Sequence, residues 1–335
     1  MILIFSEPQD TATTKTTEWL ENKSAKFIRI DSITNLSFKY EISERKEICC
    51  LINKNKCTIK LSNIGAIWAR RIPVGQLTEK INIKYNSVRE CLINSVIREE
   101  CAVLDLLQEL LFDRFWLGSI NTVSINKMKQ LKKAKQLSIK FPQTSIVCKK
   151  KDVLQFYYSN NKNIIAKAIQ DVYGFSIDNI SYIPFTIQLD INAIKSMPKT
   201  FFPILLQERI DKLMEIRSFY LMGDFYSIAI LSQNDERTKI DFRNYNYDNP
   251  NRRIPFELAD DIKKTLDSFM KSLNLNTGSL DIILTPSYEY YLLEVNPVGQ
   301  FGMVSYPGNF HIEEKIADLL ISKDKEYGKA QKNIK

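Results

Sequence analysis

The sequence predicts an α/β protein of two or three lobes. Short apolar segments, the first at residues 2–5, read as strands, and a long helical pattern follows them. In the last third of the chain, pairs of apolar runs joined by turn residues read as β-hairpins. At 335 residues the chain can bury a sizeable core and is long enough for more than one lobe.

Residues 1–120 read as an α/β lobe. Strands are expected at 2–5, 26–30, 48–51 and 66–68. A helix is expected over 87–112, where Val88, Cys91, Leu92, Ser95, Val96 and Glu99 recur at helical spacing. Trp68 reads as core. Arg70 and Arg71 follow the last strand and precede Pro73. They are either a solvated strand end or an anion contact, since each guanidinium offers a two-pronged fork.

Residues 121–205 read as a second lobe. Asn126 is a suitable cap for a helix over 127–139. Its lysines, Lys127, Lys129, Lys132, Lys133 and Lys135, cover more than one face and read mostly as solvated surface. Phe141-Pro142-Gln143-Thr144 is a helix-to-strand turn. The strand at 163–169 carries one lysine, Lys167, in an apolar run. Such a lysine either snorkels to an edge or meets an anion.

Residues 206–322 read as a third lobe, with 323–335 a polar, frayed tail. A strand at 202–210 ends in a polar bend at Gln207 and Glu208. A hairpin with a Gly223-Asp224 turn joins 215–222 to 225–230. On its first strand Glu215, Arg217 and Phe219 share a face. A loop at 239–247 carries Tyr245 and Tyr247, either peptide contacts or partial core. A helix is expected over 255–273.

The last hairpin carries the densest chemistry. Residues 279–284 and 290–296 read as paired strands around the turn Thr285-Pro286-Ser287-Tyr288. Folding it places Asp281 opposite Glu294. Glu294 and Asn296 project from the same face, and Pro297 stops the ladder. Two carboxylates and an amide oxygen form a hard-oxygen set suited to Mg²⁺, with nucleotide phosphates and water completing the shell. The plainer reading is a hairpin with exposed acids. Both strands are otherwise apolar, and an isolated buried acid is costly, so the cation site is preferred.

Composition narrows the chemistry. The single histidine, His311, leaves no room for histidine triads or histidine metal sites. The cysteines Cys49, Cys50, Cys57, Cys91, Cys101 and Cys148 form no C-x-x-C pair and read as buried free thiols. The net charge of +8 is scattered, without a nucleic-acid module, and suits an anionic ligand. No signal peptide or membrane-spanning run is apparent, so a cytoplasmic protein with neither nucleic-acid nor membrane partners is expected.

In order along the chain stand Lys167, Gln207-Glu208, Glu215-Ile216-Arg217, Asp241-Phe242-Arg243, Asp281 and Glu294-Val295-Asn296-Pro297. This series resembles the ATP-grasp ligases. More closely, the chain from about Ile67 to Ile321 is similar to the ATP-grasp peptide maturases of graspetide pathways, relatives of the microviridin ligases. Trp68-Ala69-Arg70-Arg71 and Asn296-Pro297-Val298-Gly299-Gln300-Phe301 resemble that subgroup. Val304-Ser305-Tyr306-Pro307 resembles the grasp-with-spasm maturases.

The resemblance implies an ATP-grasp fold behind an N-terminal α/β pre-ATP-grasp lobe, with ATP and Mg²⁺ held between the central and C-terminal lobes. It implies that Lys167, with Lys127 as an extra contact, meets phosphates. Backbone near Gln207, Glu208 and Ile210 reads adenine, and Glu215 bonds the ribose. Arg217 and Arg243 face the γ-phosphate and the acyl group. Asp281, Glu294 and Asn296 hold the metal. Arg70, Arg71 and Gln300 are candidate contacts to the substrate. One departure is that the segment after Lys167, residues 170–175, offers a single glycine where such enzymes often carry a glycine-rich flap.

The implied reaction is activation of Asp or Glu side chains of a ribosomal precursor peptide as acyl phosphates, followed by attack of Thr, Ser or Lys side chains. The implied partners are that peptide with its leader and a second copy of the chain in a homodimer. Two rivals are an ATP-grasp ligase adding an amino acid to a protein or peptide terminus, and a non-catalytic nucleotide-responsive binding module.

Overall fold

The computed structural model describes residues 1–31, 36–44, 46–53, 58–71, 82–122, 125–170, 175–178, 180–182 and 185–333. The chain divides into two compact units. The first comprises residues 1–124, 300–305 and 311–335; the second comprises 125–299 and 306–310.

The first unit opens with β1 (Ile2–Phe5), α1 (Thr11–Asn22) and β2 (Phe27–Ile30). A small antiparallel sheet follows, β3 (Leu36–Ser43), β4 (Lys46–Asn53) and β5 (Thr58–Lys60). Then come β6 (Ala66–Ala69), α2 (Asn86–Leu110) and β7 (Phe115–Leu117). The main sheet has the order β2-β1-β6-β7 with every pair parallel. Its central strands are buried throughout, as expected of a parallel sheet covered on both faces. Leu104, Leu107 and Leu111 from the α2 end of the chain close one core against Leu3, Phe5 and Ile67.

The second unit begins with α3 (Lys127–Gln136), β8 (Thr144–Lys149), α4 (Lys150–Ser159) and β9 (Ile164–Lys167). Next are β10 (Phe175–Ile177), β11 (Ile180–Tyr182), β12 (Ile187–Leu189), α5 (Ile191–Ser196) and β13 (Thr200–Glu208). An antiparallel sheet of order β12-β9-β13-β8 packs Ile164, Ala166 and Leu206 onto Val153, Phe156 and Ile194 of α4 and α5. The remainder is β14 (Met214–Leu221), β15 (Asp224–Ile230), β16 (Arg253–Phe256), α6 (Asp260–Ser272), β17 (Thr277–Leu284) and β18 (Tyr290–Asn296). These strands form a second antiparallel sheet, β16-β15-β14-β17-β18. One face buries Ile216, Tyr220, Leu280, Ile282 and Val295 against Leu266, Phe269 and Met270 of α6 and Ala134 of α3. Its other face mixes buried apolar residues, Phe219, Ile228, Ile230 and Ile283, with Glu215, Arg217 and Asp281, and carries the candidate site. After β18 come α7 (Gly302–Gly308) and α8 (Ile312–Asn333), the latter packing on β1, β6 and β7 in the first unit.

Several elements differ from the sequence reading. The β14–β15 turn is Met222-Gly223, not Gly223-Asp224, because Leu221 pairs with Asp224 and both turn residues have positive φ, 54° and 109°. A two-residue hairpin turn requires that geometry to match strand twist. The helix expected from Pro255 starts at Asp260. Pro255 lies in the edge strand β16, where its missing N–H is tolerated, while Asp260 and Asp261 suit a helix N-terminus.

The tail does not fray at residue 323. Asp324 meets the Met1 ammonium, Tyr327 lies under Arg114 at 4.0 Å, and Lys323 lies over Phe115 at 5.8 Å. These contacts hold α8 past residue 323, and the helix runs to Asn333. Cys91, Cys101 and Cys148 are exposed rather than buried thiols, because each falls on a solvent side of its element. Cys57 lies outside the described residues, as do residues 171–174 of the segment after Lys167. No helix among the described residues is long and apolar enough to cross a membrane.

Candidate functional site

The polar row on this face of the second sheet follows from strand alternation and one irregularity. Arg217, Asp281 and Glu294 form a row across β14, β17 and β18, and Ser279 pairs with Asn296 in the next row. The register slips between Asp281 and Ile282, because Asp281 pairs with Glu294 but Ile282 pairs with Leu292. Leu293 is the extra residue of a β-bulge. Without it, Leu292 and Glu294 would share a face. With it, Leu292 stays in the core while Glu294 and Asn296 project from the polar side. Beyond Pro297 the turn is closed by Asn296, whose Oδ1 accepts from Val298 N at 3.0 Å and whose carbonyl accepts from Gly299 N at 3.0 Å. Gly299 rests on Ser279 so closely that a Cβ there would collide with the serine side chain.

Cations balance the row. Arg217 Nη1 donates to Asp281 Oδ1 at 2.8 Å and to Oδ2 at 2.7 Å. Lys127 Nζ stands 3.0 Å from Glu294 Oε2. Burial pushes the Glu294 carboxyl up, but Lys127 and Lys167 outweigh it and hold the group below the usual range. Burial pushes Asp281 up, and it stays above the usual range despite Arg217, with the Glu294 charge adding to the rise. Burial pushes the Lys167 ammonium down, with the Glu294 charge opposing. Arg243 also faces both acids, and its own hydrogen bonds to Asp241 raise its pKa. Its Nε and Nη2 reach the Asp241 carboxylate at 2.9 and 2.6 Å, and Asp241 also accepts from Thr186 N at 3.1 Å.

Glu215 lies in the same face, two residues before Arg217. Its Oε1 accepts from Lys212 Nζ at 2.8 Å and Ser232 Oγ at 2.9 Å, and burial raises its pKa. On the other sheet of this unit, Leu205 pairs with both Lys167 and Ile146, and Gln207 pairs with Ile165. Lys167, Ile146, Ile165, Leu205 and Gln207 therefore share one face, an apolar floor with polar ends. Gln207 Nε2 donates to Thr144 Oγ1 at 2.8 Å, while its buried Oε1 has no partner. Glu208 N donates to Gln143 O at 2.9 Å, and Ile210 follows beyond the strand end.

The donor set fits a divalent ion. Among the described residues no group of three or more His, Cys, Asp or Glu gathers, so the site offers two carboxylates and the Asn296 amide oxygen. These are hard oxygen donors that leave positions for ligand oxygens and water. Two buried polar atoms beside them, Arg217 Nε and Ser279 Oγ, lack partners. A face with unsatisfied donors next to a carboxylate pair is built to receive something polar.

Comparison with known proteins agrees with this architecture. Residues 1–124 match the family model described as the MvdD pre-ATP grasp domain. A Chryseobacterium gregarium RiPP-associated ATP-grasp ligase, solved with ADP and leader and core peptides, superposes with a TM-score of 0.82 at 23% identity, covering 96% of each chain. The macrocyclase MdnC from Microcystis aeruginosa MRC, bound with precursor peptide MdnA, gives 0.80 at 23% identity over 96% of this chain and 99% of that one. The ATP-grasp ligase PsnB with minimal precursor, Mg and ADP gives 0.74 at 16% identity over 96% and 97%. The chain has the ATP-grasp fold. No curated protein matches it.

In the first unit, Arg70 and Arg71 both donate their backbone N–H to Phe5 O at 3.1 Å. Their side chains meet at Asp10, whose Oδ2 lies 3.4 Å from Arg70 Nε and 2.7 Å from Arg71 Nε. Asp10 Oδ1 caps α1 by accepting from Thr13 N at 2.8 Å. Arg70 is buried over the Phe301 ring at 5.1 Å, and burial lowers its pKa to about 10. Arg71 is the more open of the two, at 29% exposure against 4%. Gln300, at the start of the return to this unit, is exposed.

Of the residues singled out from the sequence, Lys127, Lys167, Glu215, Arg217, Arg243, Asp281, Glu294 and Asn296 lie within the second unit, whereas Arg70, Arg71 and Gln300 belong to the first. Sequence reasoning missed Asp10, Gln130, Lys212 and Ser279. Asp10 had a signal, an acid directly before a helical run. Gln130 is an uncharged polar residue on the apolar stripe of a lysine-rich helix. Lys212 had none.

Proposed function

We propose that the protein is an ATP-dependent peptide ligase. In this reading it activates Asp or Glu side chains of a ribosomally made precursor peptide and joins them to Thr, Ser or Lys side chains of the same peptide. The observation that carries it is the row Arg217–Asp281–Glu294 flanked by Lys127, Lys167 and Arg243. Acids that hold a cation and bases that hold phosphate stand side by side, as phosphoryl transfer requires.

Each residue then has a task. Lys167, with Lys127, binds the α- and β-phosphates. The floor of Ile146, Ile165 and Leu205 takes a flat base, and Gln207, Glu208 and Ile210 border it. Glu215 accepts from the ribose hydroxyls. Asp281, Glu294 and Asn296 would hold Mg²⁺, which when bound neutralises charge on the phosphates. Arg217 and Arg243 orient the γ-phosphoryl group against the peptide carboxylate. The carboxylate oxygen bonds to phosphorus and the bond to ADP breaks, giving an acyl phosphate. The hydroxyl or amine attacks the acyl carbon, loses its proton, and phosphate leaves. Each closure removes one water from the peptide and forms an ester or amide ring. No histidine or cysteine is needed.

The peptide part of the reading is supported by the likeness to ligases solved with leader, core or precursor peptides. The cytoplasm, where ATP and a nascent precursor meet, is the proposed location. The test is incubation of the protein with ATP, Mg²⁺ and the precursor encoded beside its gene, read by mass spectrometry. Stepwise water loss is expected. An unchanged peptide with nucleotide binding intact would overturn the macrocyclase reading, and a gain in mass would favour addition of a free amino acid.

A further inference from the structure

We propose that Gln130 is a positioning residue that sets the metal-holding end of β18. The proposal rests on the assignment of Glu294 and Asn296 as metal ligands above. Among the described residues β18 is an edge strand, with β17 on its inner side and no strand on the other. Val295, between the two ligand residues, is buried in the core, so its outward N–H and C=O need partners. Gln130 supplies both. Its Oε1 accepts from Val295 N at 2.8 Å, and its Nε2 donates to Val295 O at 2.8 Å.

The side-chain amide thereby replaces one rung of a missing strand. Its second Nε2 hydrogen goes to Ile125 O at 3.1 Å, which fixes the amide orientation from the start of α3. Gln130 is 2% exposed, so water does not compete for these bonds.

The inner side of the strand explains why this rung matters. The β17–β18 ladder slips at Leu293, directly before Glu294. A bulge leaves the bulged strand locally unpaired and free to bend. Glu294, Val295 and Asn296 stay in register with Asp281, Leu280 and Ser279, and Gln130 adds a support on the outer side directly after the bend. One turn earlier on α3, Lys127 meets the Glu294 carboxylate itself. The helix holds the ligand strand twice, by side chain at Glu294 and by backbone at Val295.

The test measures binding of Mn²⁺, used as a Mg²⁺ probe, to protein saturated with ADP, read by loss of the free-ion electron paramagnetic resonance signal. Q130M keeps volume and removes both bonds. Q130N keeps the amide but withdraws it by one methylene. Groups supporting metal ligands typically set affinity within roughly 10- to 100-fold. We expect Mn²⁺ binding weakened by at least roughly tenfold in Q130M, with Q130N between it and wild type, and metal-free ADP binding unchanged. E294Q serves as the reference.

If E294Q loses Mn²⁺ while folded Q130M binds like wild type, the Gln130 proposal is wrong and the ligand assignment stands. If E294Q also binds like wild type, the ligand assignment itself is wrong. If Q130M fails to fold, Q130N decides. If both fail to fold, Gln130 is a core residue and not a positioning one, and the proposal is overturned.

Discussion

A single nitrogen of Arg217, Nη1, holds both carboxylate oxygens of Asp281, at 2.8 and 2.7 Å. The Nε of the same guanidinium is buried and has no partner. The arginine is thus bound to the acid at one end and left with a donor unused at the other. Such a group serves both to neutralise Asp281 and to meet a second anion, and its loss should be felt twice.

Arg217→Met leaves Asp281 buried without its counter-charge. Removing one member of a buried pair costs about 3–5 kcal/mol, and the lower end applies because Asp281 can protonate. A lower melting temperature and loss of ATP turnover are expected, with saturating Mg²⁺ and ADP recovering part of the stability. A variant that melts like wild type would show that the pair is not a buried ion pair in solution.

Of the α3 lysines, Lys127 touches Glu294, whereas Lys129 is exposed. Lys127→Met should raise the apparent KM for ATP roughly tenfold, the value of one charge-assisted contact, and Lys129→Met should leave it unchanged. Steady-state ATPase assays with the peptide present separate the two.

Gly299→Ala forces a methyl group into the Ser279 side chain. Overpacking of this kind costs about 1–3 kcal/mol. The variant should melt lower, and the double variant Gly299→Ala, Ser279→Gly should recover most of the loss. Additive losses in the double variant would contradict the close approach.

Asp10 gives a pH prediction. Burial pushes its carboxyl up, but Arg70, the Thr13 N–H and Arg71 outweigh that and hold it below the usual carboxylate range. A lowered folded-state pKa contributes stability that is complete above the unfolded value and lost as pH falls through the folded one. Wild-type unfolding free energy should therefore fall more steeply than that of Asp10→Asn from about pH 4 downward. Parallel curves from urea titrations would contradict the assignment.

Much of the site was legible because strand alternation is a strict rule. Asp281 opposite Glu294 followed from folding one hairpin, and the register agrees. The shared face of Glu215 and Arg217 was read the same way, and the Asn126 cap from the preference of asparagine for a helix N-terminus. What escaped depends on tertiary contact. The Leu293 bulge, which keeps Leu292 in the core while turning Glu294 outward, leaves no local mark. The Gln130 amide bonds a strand 165 residues away. The Met222-Gly223 turn was misplaced by one residue, because Met222 is an unusual choice for positive φ. The α8 extension depends on contacts with Met1, Arg114 and Phe115, all far upstream.

The central claim is that a peptide carboxylate becomes an acyl phosphate. It is tested most directly with a precursor whose Asp and Glu side chains carry ¹⁸O. Each ring closure should move one ¹⁸O atom into the released phosphate, seen by the isotope shift in ³¹P resonance. Rings formed with unlabelled phosphate would contradict the account, because the carboxylate oxygen would then have left by another route.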